Sequence, residues 1–493
     1  MITHEKTSIS GNSISGNSIA RNSIVGKMMV LEGMILLVPL IVIPFYPGEA
    51  KLSVTFLIPA CLSVMAGLLV CRYGKQIDNS SRLVVFSWFY GILLAAVPFL
   101  MYGDVTLTQA LFESVSGFTT TGLSVLDVEK LPHTFLFYRA FLQYVGGLGF
   151  IMTMLLFVQE KDSAVLYQAE GHPDRLMPGI GKTAKVIGTM YGFFLFIGTV
   201  FYTIFGMSFF DSVVHTMCAL STGGFSNRMD SIGYYNSLSI ECITVILMLI
   251  GTTNFSLLLL LFKGRIRDFC KSSEMRFLGG LILITIPILS GFLVAGGKTI
   301  GERIRLSIFN AFSALSTTGY ATCSYNDWSE SALAVMILLM VIGGGLGSTA
   351  GGIKLARVCI LMKNLVRNIR KKMVPDRTVL LTYYHRGTEK ELLENEQIEE
   401  ASTYAGCYVL IYIFGTVLLT FFSDCTLVQG AFEFASSLGT VGLSIGVTNS
   451  NTSTICLLID FMRDLAYSVI VITFTDDMVC KTFLTSSNLC KNS

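Results

Sequence analysis

The chain has 493 residues, 52% of them hydrophobic and only 14% charged, with a net charge of +2. A soluble domain carries about 25% charged residues, so the composition excludes an ordinary soluble protein and gives no sign of a nucleic-acid partner. Twelve Cys lie scattered with no CxxC pair, and His4, His133, His172, His215 and His385 do not cluster, which argues against a disulfide framework or a His/Cys metal centre.

Residues 1–27 contain the polar five-residue repeat "SISGN SISGN SIARN SIVGK". Without a long apolar core this is no signal peptide, and it predicts a disordered cytoplasmic tail. Ten apolar stretches follow, near 28–46, 53–71, 83–103, 134–158, 184–206, 238–262, 277–297, 331–362, 401–422 and 453–475. About 20 apolar residues cross the hydrocarbon core, so the chain is expected to be an all-α polytopic membrane protein. The first two stretches form a separate N-terminal pair, 28–78. Basic residues fall on alternate connections: Arg72, Lys75 and Arg82; Lys161, Arg175 and Lys182; Lys263, Arg265, Arg267 and Lys271; then "KNLVRNIRKKMVPDR" at 363–377. The positive-inside rule places those connections and both termini, with the tail 477–493, in the cytoplasm.

The intervening connections, near 104–133, 207–237, 298–330 and 423–452, each hold an apolar stretch too short to span, then a Thr-x-Gly segment. Aligned on the last glycine they read "ESVSGFTTTG", "HTMCALSTGG", "NAFSALSTTG" and "EFASSLGTVG". Helix, short helix, Thr-x-Gly and helix therefore recur four times in tandem, over 79–160, 161–265, 266–362 and 401–476. A basic cytoplasmic linker, 363–400, precedes the last. Glu113 and Glu433 stand nine residues before their glycines, where His215 and Asn310 take the same slot; a structural, hydrogen-bonding role is expected for all four.

Non-helical backbone survives at membrane depth only where protein covers it or it lines a watery cavity. Four re-entrant segments converging on one axis meet that condition together. Their carbonyls can replace the water shell of a cation, and glycine can turn its carbonyl where a Cβ would strain. The short helices point their partly negative C-terminal ends inward. Candidate ion-binding residues are Thr120, Thr121 and Gly122; Thr222, Gly223 and Gly224; Thr317, Thr318 and Gly319; and Thr440, Val441 and Gly442.

These residues resemble the Trk/Ktr/HKT superfamily of potassium transporters, and most strongly its TrkH branch. The likeness covers 28 to about 476 and rests on "SGFTTTGLSVLD" (116–127), "STGGFS" (221–226), "GSTAGGIK" (347–354) and "GTVGLS" (439–444). It implies four helix–pore-helix–filter–helix repeats around one pore, with two extra N-terminal helices. It also implies K⁺ as the transported ion, no organic cofactor, and a homodimer in the bacterial cytoplasmic (inner) membrane. The expected partner is a cytosolic, nucleotide-binding, TrkA-like regulatory subunit. Serine at the first filter glycine goes with Na⁺ preference in related plant transporters, so Gly122 implies K⁺ preference.

"VIGGGLGSTAGGIKLARV" (341–358) lies in an apolar segment too long for one straight span. Gly345, Gly347 and Ala350 match a dinucleotide-binding fingerprint by spacing, but no βαβ context surrounds them. Small residues here are expected to break the helix into a cavity-lining loop, or else to let helices pack closely. The family resemblance implies an intracellular gate made of Gly343, Gly344, Gly345, Gly347, Ser348, Thr349, Gly351, Gly352 and Lys354. Arg463 falls mid-way along the last stretch, where a charge costs about 2.5–3.5 kcal/mol. It either pairs with Asp460 or Asp464 or, as the resemblance implies, projects into the pore beneath the filter; its neighbours "MRDL" depart from the family's "GRLE".

Three other readings stand beside K⁺ uptake: a Na⁺-permeable or weakly selective relative, a membrane-embedded enzyme, and a secondary transporter for an organic solute. The enzyme predicts nucleophile or acid–base clusters at one depth, which the spans lack. The solute transporter predicts inverted rather than tandem repeats.

Overall fold

The computed structural model describes residues 24–73, 80–103, 105–149, 180–296, 299–375, 380–386 and 389–448. In chain order the helices are α1 (Ile24–Ile35), α2 (Ser53–Tyr73), α3 (Ser80–Tyr102), α4 (Leu107–Phe118), α5 (His133–Leu148), α6 (Ile180–Ile204), α7 (Phe209–Leu220), α8 (Leu238–Thr252) and α9 (Phe255–Phe262). They continue with α10 (Ile266–Lys271), α11 (Ser273–Phe292), α12 (Ile300–Leu315), α13 (Glu330–Ile342) and α14 (Leu355–Lys371). An antiparallel hairpin of β1 (Tyr383–Arg386) and β2 (Glu389–Leu392) follows, then α15 (Asn395–Phe422) and α16 (Leu427–Leu438).

Among the described residues six helices are long and apolar enough to cross a membrane, or seven if one bent pair counts as a span. The remaining expected stretches account for the difference from ten. The stretch 453–475 lies outside the described residues, and 134–158 is described only as far as 149. The stretch 331–362 is divided between α13 and α14 by residues 343–354, as its glycines predict.

One expectation needs correction. The stretch 238–262 is not one straight span, because α8 and α9 meet at 115°. Asn254 causes the break: its side chain accepts from the Ser256 N–H at 2.7 Å and starts a new helix. The basic linker 363–400 carries regular structure among its described residues. It holds the last turns of α14, the hairpin, and the first turn of α15, which starts at Asn395 because Glu394 and Gln397 form a capping box.

Four short helices occupy the interior. Each starts on a hydroxyl N-cap: Thr106 for α4, Ser208 for α7, Thr299 for α12 and Thr426 for α16. In α4, α12 and α16 a Gln or Glu at the third position completes a capping box, satisfying donors that a helix end would otherwise leave unpaired. Other helices flank them: α3 and α5 around α4, α6 and α5 around α7, α11 and α13 around α12, α15 and α13 around α16. Their C-terminal halves are buried, with Phe112, Leu220, Phe309 and Phe434 in the core.

Candidate functional site

Each short helix ends the same way. The N–H just before the last glycine bonds back to a carbonyl five residues earlier: Thr121 to Ser116 at 3.0 Å, Gly223 to Cys218 at 2.8 Å, Thr318 to Ser313 at 3.1 Å and Val441 to Ser436 at 2.7 Å. The N–H of the preceding Thr bonds three residues back, to Gly117, Ala219, Ala314 and Ser437. This is a Schellman closure, whose pivot residue must take a left-handed conformation and is usually glycine. Here it is threonine four times, at φ 56° for Thr120, 52° for Thr222, 55° for Thr317 and 51° for Thr440. A β-branched residue in that region is a genuine outlier, and an outlier held four times over points to a functional constraint. The closure ties up amide donors and leaves oxygens of the Thr-x-Gly stretch for other use.

The four segments meet. Gly122, Gly224, Gly319 and Gly442 sit at φ 84°, 72°, 80° and 93°. A Cβ on Gly122 would overlap the Gly223 carbonyl, one on Gly224 the Thr318 carbonyl, and one on Gly319 the Val441 carbonyl. One on Gly442 would press against the Thr121 carbonyl. Segment one thus abuts two, two abuts three, three abuts four, and four returns to one. All twelve candidate residues belong to this closed ring, and every Thr and the Val in it are buried.

The ring is braced from behind by the expected slot. The Glu113 carboxylate accepts from Ser124 Oγ at 3.0 Å and from Arg139 Nε at 2.5 Å, while the Arg139 guanidinium stacks over Phe225, 4.0 Å from the ring centroid. His215 Nε2 pairs with Ser226 Oγ at 3.0 Å. Asn310 donates to Thr322 Oγ1 at 3.2 Å and accepts from Tyr325 OH at 2.7 Å. Glu433 accepts from Ser444 Oγ and from the Ile445 and Thr448 N–H groups, at 2.8, 3.1 and 2.9 Å. Sequence reasoning missed Gln143, which donates to the Gly223 carbonyl at 2.6 Å and accepts from the Phe225 N–H at 3.0 Å. That carbonyl keeps one lone pair for a further partner.

The loop 343–354 lies directly against the ring. Thr349 Oγ1 is 3.0 Å from Thr222 Oγ1 and donates toward the Leu220 and Gly251 carbonyls. The Gly351 N–H donates to Thr317 Oγ1 at 2.8 Å. Gly351 also approaches Gly439 and Thr440 so closely that a Cβ would overlap both. The loop therefore touches three of the four left-handed threonines. Its other side is held by the α8–α9 break: Gly345 N–H to Thr252 C=O at 3.0 Å, Asn254 Nδ2 to Leu346 C=O at 2.6 Å, and Phe255 N–H to Gly347 C=O at 3.3 Å. Gly343 and Gly352 pack on each other where the loop leaves and rejoins the helices, and Gly344 lies against Thr252 and Ala350. Ser348 Oγ donates to the Gly345 carbonyl. Lys354, itself at φ 83°, turns its ammonium back onto the Ala350 carbonyl. Arg463, with Asp460 and Asp464, lies outside the described residues. Among the described residues no group of His, Cys, Asp or Glu could hold a metal ion.

The fold defines an all-α, multi-pass membrane protein whose interior is organised around irregular, buried backbone. Residues 76–474 match the TrkH family of cation transport proteins, and the chain belongs to that family. It is 29% identical to the Trk system potassium uptake protein TrkG of Escherichia coli, over 84% of this chain and 87% of that one. It is 28% identical to an uncharacterised cation transporter of Methanocaldococcus jannaschii, over 85% and 86%. The likeness to TrkH of Escherichia coli is 29% over 75% and 78%. The crystal structure of the potassium transporter TrkH from Vibrio parahaemolyticus shares the fold, with a TM-score of 0.79 over 94% of this chain and 98% of that one, at 24% identity.

Proposed function

We propose that this chain carries K⁺ into the cell across the cytoplasmic membrane. Four tandem repeats surround one pore, and the ring of Thr-x-Gly segments is its selectivity filter. The observation that carries the reading is the closed order of the four segments, each glycine set against the next segment's carbonyl. Backbone oxygens and threonine hydroxyls gathered on one axis are the ligands a dehydrated alkali cation requires. Family membership and the potassium uptake proteins among its relatives support the choice of ion.

The loop 343–354 is the gate in this reading, since it abuts the filter threonines on one side and continues directly into α14 on the other. Arg463 adds a fixed positive charge beneath the filter. A homodimer with a cytosolic nucleotide-binding subunit on its basic face completes the assembly. K⁺ and Na⁺ uptake into proteoliposomes, with and without an imposed proton gradient, tests the ion. Faster K⁺ than Na⁺ entry is expected. Equal entry overturns K⁺ selectivity in favour of a weakly selective cation transporter.

A further inference from the structure

The hairpin β1–β2 folds over the start of α11 and the middle of α14. Lys363 Nζ donates to Ser273 Oγ at 3.1 Å and to the Tyr383 carbonyl at 2.8 Å, and the His385 N–H donates to the same Ser273 Oγ at 2.9 Å. These bonds leave a cleft of about 540 Å³ between the three elements, a volume typical of small-ligand sites.

The ionisable side chains of its wall that can carry a charge at neutral pH are all basic. Arg276, Lys363, Arg367, Arg370 and His385 line it, and no acidic residue does. Among the described residues none of the three arginines nor Lys363 has a carboxylate within 4 Å. Glu274, the acid at the start of α11, is buried and accepts from Tyr384 OH at 3.1 Å. Burial, then the charges of Arg276, Lys363, Lys390 and Lys271, hold the His385 imidazole below its usual range. Among the described residues the cleft is therefore a concentration of uncompensated positive charge.

Beside Ser273, Thr382 and Tyr383, the rest of the wall is mostly apolar, with Phe277, Met362, Val366 and Leu381. Along α14 the apolar side chains continue outward: Met362, Leu365, Val366 and Ile369 are 47%, 53%, 43% and 52% exposed. Basic residues on one side and bare apolar ones on the other describe a helix lying at a membrane surface. The height agrees, because Ser273, to which Lys363 is bonded, is the first residue of the membrane-crossing helix Ser273–Phe292. A soluble anion would satisfy the cations and leave the apolar wall unused. The headgroup and first acyl carbons of a phospholipid satisfy both.

We propose that this cleft binds an anionic phospholipid of the inner leaflet, its phosphate between Arg276, Arg367 and Arg370 and its chains along α14. The inference does not depend on which ion the protein carries.

The test uses the full-length protein, purified in detergent and stripped of lipid. Its thermal midpoint is followed as short-chain phosphatidylglycerol, phosphatidylcholine of the same chain length, or inorganic phosphate is added. A saturable rise is expected with phosphatidylglycerol alone. In the double variant Arg276→Ala, Arg370→Ala, half-saturation should need roughly tenfold more lipid, and lysines at both positions should restore part of the loss. An equal response to phosphatidylcholine, or an unaltered response in the alanine variant, overturns the proposal. So does saturation by inorganic phosphate at matching concentration, which would assign a soluble anion. Should the double variant fail to fold, the exposed change Arg370→Ala carries the same comparison.

Discussion

Threonine in a left-handed turn costs on the order of 1–3 kcal/mol, and glycine would adopt it freely. The hydroxyls explain why threonine stands at two of the four turns. Thr317 Oγ1 accepts from the Gly351 N–H, and Thr222 Oγ1 meets Thr349, so the strained side chain supplies an oxygen that glycine lacks. The glycines two residues on have the opposite requirement. Gly122→Ser places a Cβ on the Gly223 carbonyl and must displace it. The K⁺/Na⁺ flux ratio is expected to fall roughly tenfold, a change of about 1.4 kcal/mol, with a smaller loss of total flux. Retention of the ratio by folded serine variants at Gly122, Gly224, Gly319 and Gly442 would remove selectivity from the ring.

The bracing carboxylates differ in kind. Glu113→Gln leaves the buried Arg139 charge unpaired, a loss of about 3–5 kcal/mol. Glu433→Gln strains three hydrogen bonds but, among the described residues, no ion pair, a loss of about 1–3 kcal/mol. Thermal unfolding in detergent should rank the first variant well below the second, and the reverse order would contradict the buried pairing. The slot itself was legible from its fixed distance to the glycine. Gln143 was not, because its partner lies 80 residues away in sequence and no local pattern marks it. Nor were the left-handed threonines, since threonine ordinarily avoids that conformation.

At the scale of elements, the short helices announce themselves. "TLTQ" before α4, "TIGE" before α12 and "TLVQ" before α16 contain the S/T-x-x-E/Q signature, here with the Thr as cap. The broken span at 343–354 was legible from its glycines. The matching break in α8–α9 was not, because hydropathy stays high across 238–262 and a lone Asn254 barely alters it. Yet the two breaks need each other, since the amides freed in one are met by the carbonyls and side chains of the other. Thr349 is the peg between this pair and the ring. Thr349→Val keeps the side chain's volume and removes its hydroxyl, so the loop loses its bonds to Thr222, Leu220 and Gly251. Basal K⁺ flux in proteoliposomes is expected to rise severalfold, since about 1 kcal/mol of closed-state stabilisation is lost. A folded Thr349→Val protein no leakier than wild type would mean that this contact does not hold the pathway shut.

At the scale of the whole molecule, charge separates by face. On the side of the connections 104–133, 207–237 and 298–330, Lys130 pairs with Asp127 at 2.7 Å, Arg228 with Asp211 at 3.2 Å and Arg305 with Glu241 at 2.8 Å. Lys51, beside the Glu49 that meets His133, and Arg303 are the exceptions among the described residues. On the opposite side Arg265 and Arg357 have carboxylate partners. Lys263, Arg267, Lys271, Arg276, Lys363, Arg367, Arg370, Lys371 and Lys372 have none among the described residues. A paired cation contributes little net charge, so the free positive charge lies almost wholly on one face. Lys and Arg in short connections set orientation during insertion, and that face should be cytoplasmic. The prediction is read with a membrane-impermeant maleimide on a cysteine-free background. Lys130→Cys, whose side chain is 83% exposed, should react in intact cells. Lys371→Cys, also exposed, should react only after the membrane is permeabilised. The reverse pattern would put the loop 343–354 on the outer side of the ring, and a gate answering to a cytosolic subunit could not then be built from it.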